Sequence, residues 1–94
     1  MDLFKWIKVL ANKRRQRLEN ELAHVKTAIA RLEAENIERQ HRLTITAKLW
    51  LEQGSSKYVR QARAHVRRIL RNKATLRQHR RSESRLTMQL GRLR

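Results

Sequence analysis

From Leu18 the apolar residues step by four, three, four and three: Leu18, Leu22, Val25, Ile29 and Leu32. That is a heptad seam, the pattern of a helix that packs along one side against another helix. The same register continues through Asn36, Arg39, Leu43, Thr46 and Trp50, so the stripe turns polar in its middle and then recovers through Leu43, Ala47, Trp50 and Leu51. A second stripe follows, formed by Tyr58 or Val59, then Ala62, Val66, Ile69 and Leu70. Lys73 interrupts it before Ala74 and Leu76, and Leu86, Leu90 and Leu93 resume after the polar tract from Gln78 to Arg85. Between the stripes lies Gln53-Gly54-Ser55-Ser56, holding the first of two glycines in a chain without proline. Glycine suits the left-handed residue that ends a helix, and serine suits the cap that starts the next. The pattern predicts a first long helix over 12–53, a turn at 54–56 centred on Gly54, and a second helix over 57–94. Halves of nearly equal length predict an antiparallel, coiled-coil-like hairpin, with Leu18, Leu22, Val25, Ile29, Leu32, Val66, Ile69 and Leu76 as its seam residues.

Residues 1–11 predict a short amphipathic helix ahead of the hairpin, which makes the expected fold all-α. Leu3, Phe4, Ile7, Leu10 and Ala11 share one helical face, Lys5, Lys8 and Asn12 lie opposite, and Trp6 and Val9 fall near the boundary. Bulky apolar groups beside lysines suit a helix lying in an anionic interface, with Leu3, Phe4, Trp6, Ile7 and Leu10 as its anchor. The plainer alternative is that Phe4 and Trp6 pack on the hairpin or lie disordered. One such segment binds weakly alone and needs neighbouring basic charge or oligomerisation. A basic patch follows at once, Lys13, Arg14, Arg15 and Arg17. Its placement suits lipid headgroups, but phosphate contact or a nuclear import signal would use the same residues. No apolar run approaches the roughly 20 residues of a spanning helix, and Lys5 and Lys8 interrupt anything resembling a signal peptide.

Charge separates the two halves. The chain of 94 residues carries a net charge of +16. Residues 13–53 hold nine Lys/Arg against six Glu, a salt-bridge-laced surface. Residues 54–94 hold thirteen Lys/Arg and one acid, Glu83. Within that half Arg60, Arg63, Arg67 and Arg71 recur at spacings that share a face. Such a field favours a polyanion: an acidic membrane surface, a nucleic acid bound without sequence preference, or an acidic protein. Four aromatic residues are too few for a base-stacking platform. Lys5, Lys8, Lys13, Arg14, Arg15, Arg17, Arg60, Arg63, Arg67 and Arg71 are therefore the expected contacts to acidic lipid or another polyanion.

Little points to catalysis. There is no cysteine, so neither disulfides nor thiolate metal sites arise. His24, His41, His65 and His79 stand far apart in sequence, and none has a second histidine or an aspartate at metal-ligand spacing. No glycine-rich phosphate loop or nucleophile motif occurs. Two paired helices bury a seam rather than a deep pocket. The expectation is a non-enzyme with no metal, no cofactor and no small-molecule substrate.

The order of these features resembles the N-terminal half of the ESCRT-III family, the charged multivesicular body proteins. The start Met1-Asp2-Leu3-Phe4 is similar to the type 2 members, as is the stretch KLWLEQGSSKYVRQARAHVRRILRNKATLRQHRR from Lys48 to Arg81. Ser84-Arg85-Leu86-Thr87-Met88-Gln89-Leu90 fits the end of the family's second helix. The likeness covers nearly the whole chain and rests on order and pattern rather than on a catalytic signature. It implies a subunit that binds acidic membranes on their cytosolic face, as at endosomes, and polymerises with itself and related subunits to support budding, scission and vesicle sorting. It implies that Leu3, Phe4, Trp6 and Ile7 insert, and that Lys13, Arg14, Arg15, Arg17 and arginines of the second helix meet headgroups. Family members continue into acidic helices that close on the basic hairpin and recruit the disassembly ATPase. The resemblance stops at Arg94, so a fragment or a naturally short, open form is the expectation. The alternatives kept beside it are a small basic nucleic-acid-binding protein and a coiled-coil adaptor.

Overall fold

The computed structural model describes residues 2–93. They form two helices, α1 over Leu3–Gln53 and α2 over Ser56–Arg92, with no strand among the described residues. The outer ends of the expected elements, Met1 and Arg94, lie outside the described residues.

The turn is two residues long, and its chemistry is local. Gly54 has φ +68° and donates its N–H to the Trp50 carbonyl at 2.7 Å. This is the left-handed cap that closes a helix and satisfies one of its orphan carbonyls. Ser55 then caps α2. Its Oγ accepts from the Lys57 N–H at 3.3 Å, and its carbonyl accepts from Tyr58 N–H at 3.1 Å. The Tyr58 hydroxyl donates to Gln53 Oε1 at 3.1 Å and ties the two helix ends together.

The described chain divides into two compact units. One, residues 30–77, contains the turn. In it the two helices run antiparallel, since Asn36 faces Ile69 and Asn72, while Arg39, further along α1, faces His65. Ile69 and Leu76 are its buried apolar side chains, and Asn36, Thr46 and Asn72 are buried beside them. Asn72 Nδ2 donates to Asn36 Oδ1 at 2.8 Å, and Asn36 Nδ2 donates to the Ile69 carbonyl at 3.4 Å. Thr46 Oγ1 donates to the Arg42 carbonyl at 2.8 Å. The polar middle of the seam is thus satisfied within the protein, as buried polar groups must be.

The other unit joins residues up to Ile29 with those from Gln78 onward. Leu86 is its most buried side chain, at 2% exposure, and Leu18, Leu22, Val25 and Ile29 are half-buried. Arg15 Nη2 donates to the Leu93 carbonyl at 3.0 Å. Guanidinium beside the last carbonyls of a helix is a favourable placement.

Two sequence expectations change. The separate short helix over 1–11 does not exist as such, because α1 runs unbroken from Leu3 to Gln53. Nothing between Ala11 and Lys13 breaks a helix: there is no proline or glycine, and the basic residues are good helix formers. Val66, expected in the seam, is 41% exposed. The more enclosed positions of α2 are Ala62, His65, Ile69, Asn72 and Leu76, which step by three and four. Val66 sits one residue, about 100°, further round the helix. Apolarity favoured Val66, but the heptad register favours His65.

Candidate functional site

The first turns of α1 begin at a cap. Asp2 Oδ1 accepts from the Phe4 N–H at 3.1 Å, and the Asp2 carbonyl accepts from Trp6 N–H at 3.3 Å. The carboxylate also complements the positive end of the helix. The apolar side chains that follow are open to solvent: Leu3 and Phe4 are 72% and 75% exposed, and Trp6, Ile7, Val9 and Leu10 lie between 51% and 55%. None packs into a core. Lys5, Lys8, Lys13, Arg14, Arg15 and Arg17 are exposed on the same stretch of helix. This end of α1 therefore presents unburied aliphatic and aromatic surface together with cations on a capped helix.

The basic face of α2 is equally open. Arg60, Arg63, Arg67 and Arg71 are all exposed, and no carboxylate pairs with any of them among the described residues. Two ion pairs lie within α1. Glu38 pairs with Arg42 at 2.8 Å on an exposed helical turn. Glu35 is different, because its Oε1 accepts from Arg39 Nε at 3.0 Å and from Arg68 Nε of α2 at 3.1 Å. Those two hydrogen bonds, Arg39's the larger, hold the Glu35 carboxyl below its ordinary value, partial desolvation opposing them. Arg39 Nη1 also lies 3.4 Å from His65 Nδ1. Arg39, Ala64, Arg67, Arg68 and Arg71 line a polar cleft of about 290 Å³.

A second concavity lies beside the turn. It is a largely apolar groove of about 510 Å³ lined by Ala47, Trp50, Tyr58, Val59, Ala62 and Val66, with Arg63 and Arg67 also contributing. Within the turn-bearing unit the expected contacts Arg67 and Arg71 thus come together with Arg39 and Arg68, which sequence reasoning did not single out. The signal for Arg39 was present: it occupies a seam position where a leucine would serve packing better. Arg68 gave no such signal, since its neighbours Arg67 and Arg71 look alike in sequence. The pairing of Asn36 with Asn72 was also unmarked, although Asn36 stood out in the register.

His24 and His41 are exposed and His79 is half-buried. Among the described residues no three His, Asp or Glu side chains gather as a metal site, and no helix is long and apolar enough to cross a membrane. A scan against protein-family models finds no match, and comparisons with curated proteins and with solved structures find no similar one.

Proposed function

We propose that this chain is an ESCRT-III-like membrane-remodelling subunit. It binds acidic membranes peripherally on their cytosolic face and polymerises there, with copies of itself and related subunits, to support budding, scission or vesicle sorting. The observation that carries this reading is the start of α1. Leu3, Phe4, Trp6, Ile7 and Leu10 are exposed on a capped helix that continues directly into Lys13, Arg14, Arg15 and Arg17. Each large apolar side chain contributes up to about 1.5–3 kcal/mol when fully buried, and each basic residue near an anionic surface about 1 kcal/mol. Partial burial of one short segment therefore gives reversible binding. Joining many copies in a polymer raises the effective concentration of every anchor and makes attachment stable.

Liposome co-sedimentation tests this. Binding is expected to require acidic lipid, to weaken with salt, and to drop in the Phe4→Asp/Trp6→Asp double variant. Parent-like binding of that variant to acidic vesicles would remove the anchor from the account. A second reading, non-specific nucleic-acid binding, is favoured by the exposed row Arg60, Arg63, Arg67 and Arg71, which has no carboxylate partner among the described residues. It predicts steep salt dependence in a gel shift that is indifferent to residues 4 and 6. Strong nucleic-acid binding with no vesicle binding would select it.

A further inference from the structure

The cleft between Arg39 and the arginines of α2 has more organisation than a solvated charge run. Four arginines line a cleft of about 290 Å³, just below the roughly 300–1,000 Å³ of drug-sized ligand sites and so suited only to a compact ligand. Two of them are held in place by one atom, since Glu35 Oε1 accepts from the Nε of both Arg39 and Arg68. Bonding through Nε leaves the Nη groups of Arg68 available to a ligand. Glu35 and Arg39 are half-buried, at 29% and 31% exposure, so salt screens that pair less than a free surface charge, while Arg68 is 45% exposed and open to solvent. Arg67 and Arg71 complete the lining and have no carboxylate partner among the described residues. Ala64, one turn before Arg67 and Arg68, also lines the cleft, and its small side chain takes up little of it.

We propose that this cleft binds a compact ligand bearing two or more phosphomonoesters on one ring, of the inositol polyphosphate class. Guanidinium forks match phosphate oxygens in pairs, which a lysine cannot do. Charge sets the number of phosphates. Four arginines against Glu35 leave three positive charges in the cleft. One phosphomonoester brings about −1.5 to −2 at neutral pH and leaves a surplus, whereas two bring about −3 to −4 and match it. Phosphates clustered on one ring reach all four arginines from within the cleft. A nucleic-acid backbone strings its phosphates out and draws equally on cations elsewhere along α2, such as Arg60 and Arg77. The same headgroup chemistry occurs free in solution and on phosphoinositide lipids. The site does not depend on membrane insertion by α1, because a soluble ligand suffices to fill it.

The test titrates the full chain with soluble glycerophosphoinositol 4,5-bisphosphate at fixed ionic strength. Two charge-matched variants are compared, Arg67→Gln/Arg71→Gln and Arg60→Gln/Arg77→Gln. All four positions are exposed and glutamine is a good helix former, so helix content, checked by circular dichroism, should hold in both. The parent is expected to bind saturably with one ligand per chain. The Arg67/Arg71 variant is expected to lose about tenfold or more, the scale of removing charge-assisted hydrogen bonds, and the Arg60/Arg77 variant about threefold or less. Competition by vesicles carrying phosphatidylinositol 4,5-bisphosphate, but not by phosphatidylserine vesicles of equal charge, assigns the lipid as the source. Failure of both vesicles to compete assigns the free ligand. Equal losses in the two variants would overturn the proposal, as would displacement by an oligonucleotide at equal phosphate concentration or absence of saturable binding. A parent that binds the soluble headgroup but not acidic vesicles would refute the membrane reading and leave this site standing.

Discussion

Replacing Asn36 by leucine removes the acceptor that Asn72 uses. Asn72 Nδ2 donates to Asn36 Oδ1 at 2.8 Å, and the two residues are 4% and 7% exposed. Asn36→Leu therefore leaves a buried amide without a partner, at a cost of about 1–3 kcal/mol. Asn72→Leu does the same to the Asn36 oxygen. The double variant orphans neither group, because both polar partners are gone and leucine is what a heptad seam ordinarily holds. The two penalties should be absent together, so the double variant should be more stable than the sum of the singles by about 2 kcal/mol or more. For a chain of this size that is about 8 °C or more in melting temperature. Thermal denaturation of the four proteins, followed by circular dichroism, measures the coupling. Effects that add to within about 0.5 kcal/mol would show that the pair is not an energetic unit and would refute the reasoning. The same double variant should lose definition of its pairing, since a buried asparagine pair fixes register at some cost in stability. Light scattering at rising concentration is expected to show assemblies that the parent does not form.

Gly54→Ala isolates a backbone effect. A Cβ at Gly54 would meet nothing within 4 Å, yet φ is +68°. The cost is then conformational, about 1 kcal/mol after the smaller unfolded-state entropy of alanine is counted. It should appear as a lower melting temperature with unchanged helix content, and an unchanged melting temperature would argue against the left-handed cap. Glu35 predicts a pH dependence. Its folded-state pKa lies below the ordinary 4.5, so its contribution is present above that pH and is lost as pH falls through the depressed value. Melting curves of the parent and Glu35→Gln should differ at neutral pH and converge in strong acid; a difference that persists in acid would assign the effect to packing.

The helices, the turn and much of the seam were legible because each rests on local chemistry. Gly54 and Ser55 supply a helix end and a helix start within two residues, and the step of Leu18, Leu22, Val25, Ile29 and Leu32 fixes the packed side of α1. The break expected after residue 11 was misplaced because a change in surface chemistry is not a change in backbone preference. Amphipathic and basic segments of one helix can follow each other without a stop signal. Val66 illustrates a different limit. Where a seam contains His65 and Asn72, the apolar residue beside the register looks like the better choice. What settles it is the partner helix, where Arg39 and Asn36 face those two polar residues. The cleft was the least legible feature. Arg39 and Arg68 are far apart in sequence and come together through Glu35, an acid that reads in sequence as one of several surface glutamates.

The central claim, that this chain binds and shapes acidic membranes by assembling on them, is tested most directly by electron microscopy of the purified protein mixed with acidic liposomes. The account predicts ordered filaments, coats or tubules on vesicles containing acidic lipid, and bare, spherical vesicles with the Phe4→Asp/Trp6→Asp variant. Smooth vesicles with no protein lattice, under conditions where the chain is folded and monodisperse, would contradict it.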